Sequence, residues 1–141
     1  MDNFRLPETI APSANAPDIP KSLYRREGNI GNFEARVIGE LAGVDSVVWW
    51  HRNLSKGSGF RINGFLNHYP DFILRTERGK IIVVETKGDN RDNSDSEKKL
   101  LLGKKWEAKA GDQYRYMMVF ENNPIEGADR LDVAISKIGR L

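Results

Sequence analysis

Four consecutive apolar residues, Ile81-Ile82-Val83-Val84, run without a break into Glu85-Thr86-Lys87. β-Branched side chains crowd a helix but suit a pleated strand, whose side chains alternate between its two faces. Both alternating sets are apolar here, Ile81 and Val83 on one side and Ile82 and Val84 on the other, so this strand must be covered twice. The chain is therefore expected to be of the α/β (α+β) class, a mixed central sheet flanked by helices.

Spacing predicts the remaining elements around that strand. Phe33, Val37, Ile38 and Leu41 recur at helical intervals, with Asn32 available as N-cap and Gly43 as the stop. Val47-Val48-Trp49-Trp50 is a β-prone run that ends before the glycine-rich stretch from Lys56 to Gly64. Tyr69 to Arg75 and Lys80 to Lys87 read as two strands joined in a hairpin at Glu77-Arg78-Gly79. Ser94 followed by Glu97 forms a capping-box pattern, and Leu101, Leu102 and Trp106 continue it as an amphipathic helix to about Gly111, weakened slightly by Gly103. Tyr114 to Phe120 predicts a fourth strand, and Leu131, Ile135 and Ile138 predict a closing helix. The expected order is αβββαβ followed by α. Four of the six prolines fall in the first twenty residues, so residues 1–22 are expected to be a flexible arm or linker and residues 23–141 one folded domain.

Composition narrows the chemistry. At 141 residues a folded chain hides roughly 68–70% of the surface its unfolded form exposes, so a single core suffices without disulfides or a structural metal. Cysteine is absent, which excludes thiol nucleophiles and thiolate zinc sites and fits a reducing, cytoplasmic location. The only histidines are His51 and His68, read as structural or rim residues rather than ligands. No run approaches the roughly 20 apolar residues of a membrane span. Lys and Arg total 22 against 20 Asp and Glu, a net charge of +2 that is too mild to establish a nucleic-acid partner.

The informative residues are Asp71 and the triplet Glu85-Thr86-Lys87. If the hairpin closes around Arg78, Asp71 and Glu85 lie seven positions to either side and face each other, their Cβ atoms roughly 4.5–5.5 Å apart. Lys87 shares the face of Glu85, one step along the strand. Two acids so close repel, and one keeps its proton unless a cation lies between them. Oxygen donors with few imidazoles favour Mg²⁺ or Mn²⁺, which retain waters and borrow ligands from phosphate. A water acidified by the metal is then the nucleophile for in-line attack on phosphorus, with Lys87 orienting it or stabilising charge on the phosphate. Glu34 lies four before Ile38 and seven before Leu41, on the packed flank of the first helix, and is available to complete the ligand set.

Pro70-Asp71, thirteen intervening residues and then Glu85-Thr86-Lys87 resembles the PD-(D/E)XK nuclease superfamily. Together with Trp49-Trp50-His51-Arg52-Asn53, Tyr69-Pro70-Asp71-Phe72, Gly88 and Gly103-Lys104-Lys105-Trp106, it is similar, over roughly Asn32 to Phe120, to the C-terminal nuclease domain of type III restriction endonuclease subunits. The resemblance implies a restriction-endonuclease-like αβββαβ core, a divalent metal held by Asp71 and Glu85, Lys87 as the catalytic lysine and Glu34 as the acid of the first helix. It also implies DNA as substrate, a methyltransferase subunit and an ATP-dependent translocase or helicase region as partners, and a possible homodimer. No G-x-x-x-x-G-K-[ST] motor sequence occurs, so the chain reads as an excised domain or a stand-alone relative. A related nuclease group carries Gln-x-x-x-Tyr after the motif; Gln113 has Met117 at that spacing, with Tyr116 one residue short.

Several features have two readings. Lys98, Lys105 and Lys109 fall on one helical stripe, with Lys99, Lys104 and Arg115 nearby; such a face either follows a phosphate backbone or is the solvated side of an amphipathic helix. Trp49 and Trp50 are open to base stacking or to core packing. Asp89, Asp92 and Asp95 lack the glycine and terminal glutamate of a calcium loop. For the whole chain, the rivals to a DNA endonuclease are a catalytically inactive nuclease-fold module that binds nucleic acid or a protein, and an enzyme that cleaves RNA.

Overall fold

The computed structural model describes residues 4–7, 19–24, 30–54, 59–88 and 93–141. Helix α1 (Asn32–Ala42) leads into β1 (Val47–Arg52). Two short strands, β2 (Ile62–Asn63) and β3 (Asn67–His68), precede β4 (Phe72–Thr76) and β5 (Ile81–Lys87). Then come α2 (Asn93–Ala110), β6 (Tyr114–Phe120), β7 (Asp129–Arg130) and α3 (Leu131–Gly139). The long strands form one mixed sheet in the order β1-β4-β5-β6-β7, and β2 with β3 makes a separate two-stranded ribbon. β1, β4 and β5 pair antiparallel, whereas β5-β6 and β6-β7 are parallel. A parallel pair needs a crossover, and α2 supplies it between β5 and β6.

The alternation in β5 sets both cores. Ile82 and Val84 face a cluster built with Val37, Ile38 and Leu41 of α1, Trp50 of β1, and Leu131, Ala134 and Ile138 of α3. Val83 faces the other way, onto Ile73, Tyr116, Met118 and the Leu100 and Leu102 of α2. The helices thus flank the sheet as the two-sided apolar strand requires. Glu85 and Lys87 share the parity of Val83, so they leave the core on the α2 side. Gly103 has a packing role there: a Cβ at that position would stand 2.4 Å from the Tyr116 ring, so glycine lets α2 lie directly against β6.

Some boundaries differ from the expected ones. Gly31, not Asn32, is the N-cap of α1, because Glu34 Oε1 accepts the Gly31 N–H at 3.3 Å. β4 begins at Phe72, since Pro70 has no N–H to offer a ladder and Asp71 turns its side chain to other work. Strands β2, β3 and β7 have two residues each, too few to carry an alternation in sequence. Within residues 1–22, Ile19 lies on the α1 cluster, Phe4 and Leu6 lie on the α2 cluster, and Ser22 bridges to Trp50 of β1. Residues 55–58 of the glycine-rich stretch, and Asp89 and Asp92, lie outside the described residues. Among the described residues, no helix is long and apolar enough to cross a membrane.

Candidate active site

The β4-β5 register pairs Phe72 with Val84, so one step further out Asp71 stands opposite Glu85, as a hairpin centred on Arg78 requires. Both acids line a cleft of about 450 Å³ together with Glu34, Tyr69, Thr86, Lys87 and Lys99. β5 contributes three of these side chains, α1 one and α2 one, so the site forms where the end of the central strand meets a helix from each layer.

Asp71 is held from two sides. Its Oδ2 accepts both the backbone N–H and the hydroxyl of Thr86 at 2.8 Å, and its Oδ1 accepts from Arg52 Nη1 at 2.8 Å. The same guanidinium nitrogen lies 3.0 Å from Glu34 Oε2, which brings the helix acid to the pair. Glu85 Oε2 lies 3.6 Å from Lys87 Nζ and 3.7 Å from Lys99 Nζ. Both amines also reach Asp95, at 3.7 and 3.1 Å. Glu85 is only 5% exposed, and its Oε1 takes no hydrogen bond among the described residues.

These surroundings drive the two carboxyls apart. Burial and the neighbouring Asp71 push Glu85 well above the ordinary carboxylate range, against the pull of Lys87 and Lys99. Burial also acts to raise Asp71, but Arg52 and the hydrogen bonds it accepts outweigh that and hold it below the ordinary value. Glu34 is raised by burial and by Asp71. Of the two acids, Glu85 is therefore the one that more readily holds a proton. An acid whose folded-state affinity for a proton is raised contributes stability at low pH and loses it as pH climbs through the folded value. Glu85→Gln is accordingly expected to gain thermal stability relative to the native protein between about pH 5 and about pH 8 in EDTA, a difference that thermal melts at each pH measure. An unchanged difference across that range would contradict the assigned proton.

The donors present suit a hard divalent cation. All are oxygens, two of them, Glu85 Oε1 and Glu34 Oε2, are buried without a hydrogen bond among the described residues, and a cation would relieve the repulsion that favours the protonated form of Glu85. Among the described residues no three His, Cys, Asp or Glu side chains form a group that would hold a metal unaided. Asp71 and Glu85 would be its protein ligands, the rest coming from water and phosphate, which is the usual habit of Mg²⁺. Glu34 is tied to Arg52, so its part is to hold that guanidinium on Asp71 as much as to bind an ion.

The remaining predicted residues fall in different places. Lys98, Lys105 and Lys109 are exposed on one stripe of α2. Lys104 and Arg115 are not part of it. Lys104 donates to the Tyr116 carbonyl at 3.1 Å and Arg115 to the Tyr114 carbonyl at 2.9 Å, both along the backbone of β6. Gln113 donates to Gly79 O at the Ile81 end of β5, four residues or about 13 Å of strand from Glu85, which removes it from the cleft. Trp50 is wholly buried and Trp49 half-buried against the opposite cluster, so core packing accounts for both. His51 is buried beside the Tyr24 ring. His68 is buried 2.7 Å from the Tyr116 hydroxyl, and burial lowers its pKa to about 4, so it is neutral.

Three residues of the cleft were not singled out for it by sequence. Arg52 stands only two positions beyond the aromatic pair, and Thr86 is the middle of its own triplet. Lys99 is 100° around α2 from Lys98, a rotation that turns it inward to Glu85. No protein-family model, no curated protein and no solved structure matches this chain, so the geometry of the cleft carries the functional reading.

Proposed function

We propose that this protein is a metal-dependent endonuclease that hydrolyses phosphodiester bonds in DNA, on a restriction-endonuclease-like core. The observation that carries the reading is the half-buried Asp71 facing the buried Glu85, with the Lys87 amine 3.6 Å from Glu85 and only 7% exposed. Ionisable groups are costly at such depth, and three of them converge at the mouth of a cleft where the apolar part of β5 ends. The order α1, β1, β4, β5, α2, β6 is compatible with the αβββαβ core that the Pro70-Asp71 and Glu85-Thr86-Lys87 resemblance implies.

Asp71 and Glu85 would hold Mg²⁺ or Mn²⁺, which when bound supplies a Lewis acid to the phosphate and a more acidic water. Thr86 fixes the rotamer of Asp71 through two hydrogen bonds, so one acid is positioned before substrate arrives. Lys87 holds its ammonium beside Glu85, where it stabilises negative charge growing on the phosphate oxygens. Lys99 adds a second cation from the α2 side, 24% exposed and so within reach of an entering phosphate.

Incubation with supercoiled plasmid tests the proposal. Nicked or linear DNA is expected with Mg²⁺ or Mn²⁺ and none with EDTA, and Lys87→Ala is expected to be slower by at least about a hundredfold. Absence of cleavage with either metal, or cleavage confined to a matched RNA duplex, would overturn it. The specific feature favouring the inactive-module rival is Arg52, whose guanidinium already pairs with Asp71 and Glu34. Intact DNA binding without any Mn²⁺ binding would select that rival.

A further inference from the structure

We propose that the tip of the β2-β3 ribbon is a stacking platform for an unpaired base of DNA, with the backbone of that strand running along Lys98, Lys105 and Lys109 of α2. This rests on the nucleic-acid reading of the cleft but concerns a different surface. Phe65, at the ribbon tip, is 57% exposed, and Leu101 on the facing stripe of α2 is 52% exposed. They rank among the most exposed large apolar side chains of the described residues. The ring is not loosely hung. A Cβ on the neighbouring Gly64 would stand 2.4 Å from Leu102 Cδ1, so the tip is pressed onto α2, and Lys105 Nζ lies 5.7 Å from the Phe65 ring centroid.

The charges of this face are unspent. Lys99 and Lys104 of the same helix pair with Glu85, Asp95 and Glu107, whereas Lys98, Lys105 and Lys109 make no ion pair among the described residues. Positions 98, 105 and 109 are seven and four apart, which stacks them on one side over about 16 Å of helix. A row of unpaired ammoniums beside an open aromatic ring is complementary to a nucleic-acid strand: phosphates meet the lysines, and a base face meets the ring. Every base inside a continuous duplex is already covered on both faces, so the platform selects a base that is unpaired or at a strand end.

The ribbon also connects this surface to the cleft. Phe65 and Asp71 are six residues apart, hence no more than about 22 Å even if fully extended. At about 3.4 Å per nucleotide along a strand, the stacked base and the bond to be cut lie within about six nucleotides of each other. The substrate class is therefore DNA with a single-strand to duplex junction, engaged close to the junction.

Fluorescence anisotropy in EDTA, where no cleavage occurs, tests this with two probes, a blunt duplex and the same duplex carrying a short single-stranded overhang with 2-aminopurine at its first unpaired position. The native protein is expected to prefer the overhang probe and to change the 2-aminopurine emission. Phe65→Ala is expected to weaken overhang binding about tenfold, to leave blunt-duplex binding within about twofold and to abolish the emission change, while Phe65→Trp keeps all three. Equal binding of both probes by Phe65→Ala and the native protein, or no binding of either probe by the native protein, would overturn the platform. Plasmid cleavage separates the two claims: cleavage with an indifferent Phe65→Ala loses only the platform, and Phe65-dependent binding without cleavage loses only the nuclease reading.

Discussion

Asp71→Asn and Glu85→Gln are each expected to lower plasmid cleavage at least about a thousandfold, because each removes one of two carboxylates whose joint negative charge is what the site offers a divalent cation. The two variants should differ in what they do to the fold. Glu85→Gln exchanges a buried acid whose surroundings favour its protonated form for a neutral group of the same shape, so the native core is retained. Asp71→Asn places an amide where two donors from Thr86 and one from Arg52 now converge, and at least one of those bonds must be lost. It should melt earlier than Glu85→Gln, by the equivalent of about 1–3 kcal/mol. Gel analysis of plasmid cleavage, with thermal melts of the same preparations, separates lost chemistry from lost structure. Full cleavage by both variants would remove these acids from the mechanism.

Trp50→Ala is expected to cost about 3–5 kcal/mol of folding free energy, the largest effect on stability foreseen for a single side chain. Its indole is 0% exposed in the α1 cluster and meets the Phe72 ring edge-on, with 5.9 Å between centroids. It also fastens the N-terminal segment. Nε1 donates to Pro20 O at 2.8 Å, and the backbone of Trp50 exchanges hydrogen bonds with Lys21 and Leu23. Domains of this size have stabilities of only about 5–15 kcal/mol, so this one truncation removes a large share. Urea denaturation measures it. A loss under about 1 kcal/mol would mean that the β1 edge and residues 19–24 are held by something other than this indole.

How far the sequence could be read follows from the range over which each signal acts. Apolar residues on both faces of Ile81 to Val84 specify a covered strand, because alternation is a property of consecutive residues. The meeting of Asp71 with Glu85 was equally legible, since a tight hairpin fixes its register by symmetry about Arg78. Arg52 and Lys99 were not assigned to the cleft, because their places depend on how β1 docks along β4 and how α2 is rotated on the sheet. Helical spacing correctly grouped Lys98, Lys105 and Lys109. It carries no information about what stands opposite a face, and so did not separate them from Lys104, which the β6 backbone takes up. Gln113 stands three residues from Tyr116 in sequence, yet it lies beyond the far end of the parallel ladder from the cleft. The prolines of the first twenty residues exclude helix and ladder, but they do not prevent packing, as Ile19 and Pro20 illustrate.

Direct titration with Mn²⁺, followed by electron paramagnetic resonance of the free ion, tests the central claim most closely because it needs neither substrate nor turnover. The native protein is expected to take up Mn²⁺ in competition with Mg²⁺, and Glu85→Gln and Asp71→Asn are each expected to bind it at least about tenfold more weakly. Uptake that is undiminished in both variants, or no uptake by the native protein at all, would contradict a cation site shared by these two acids.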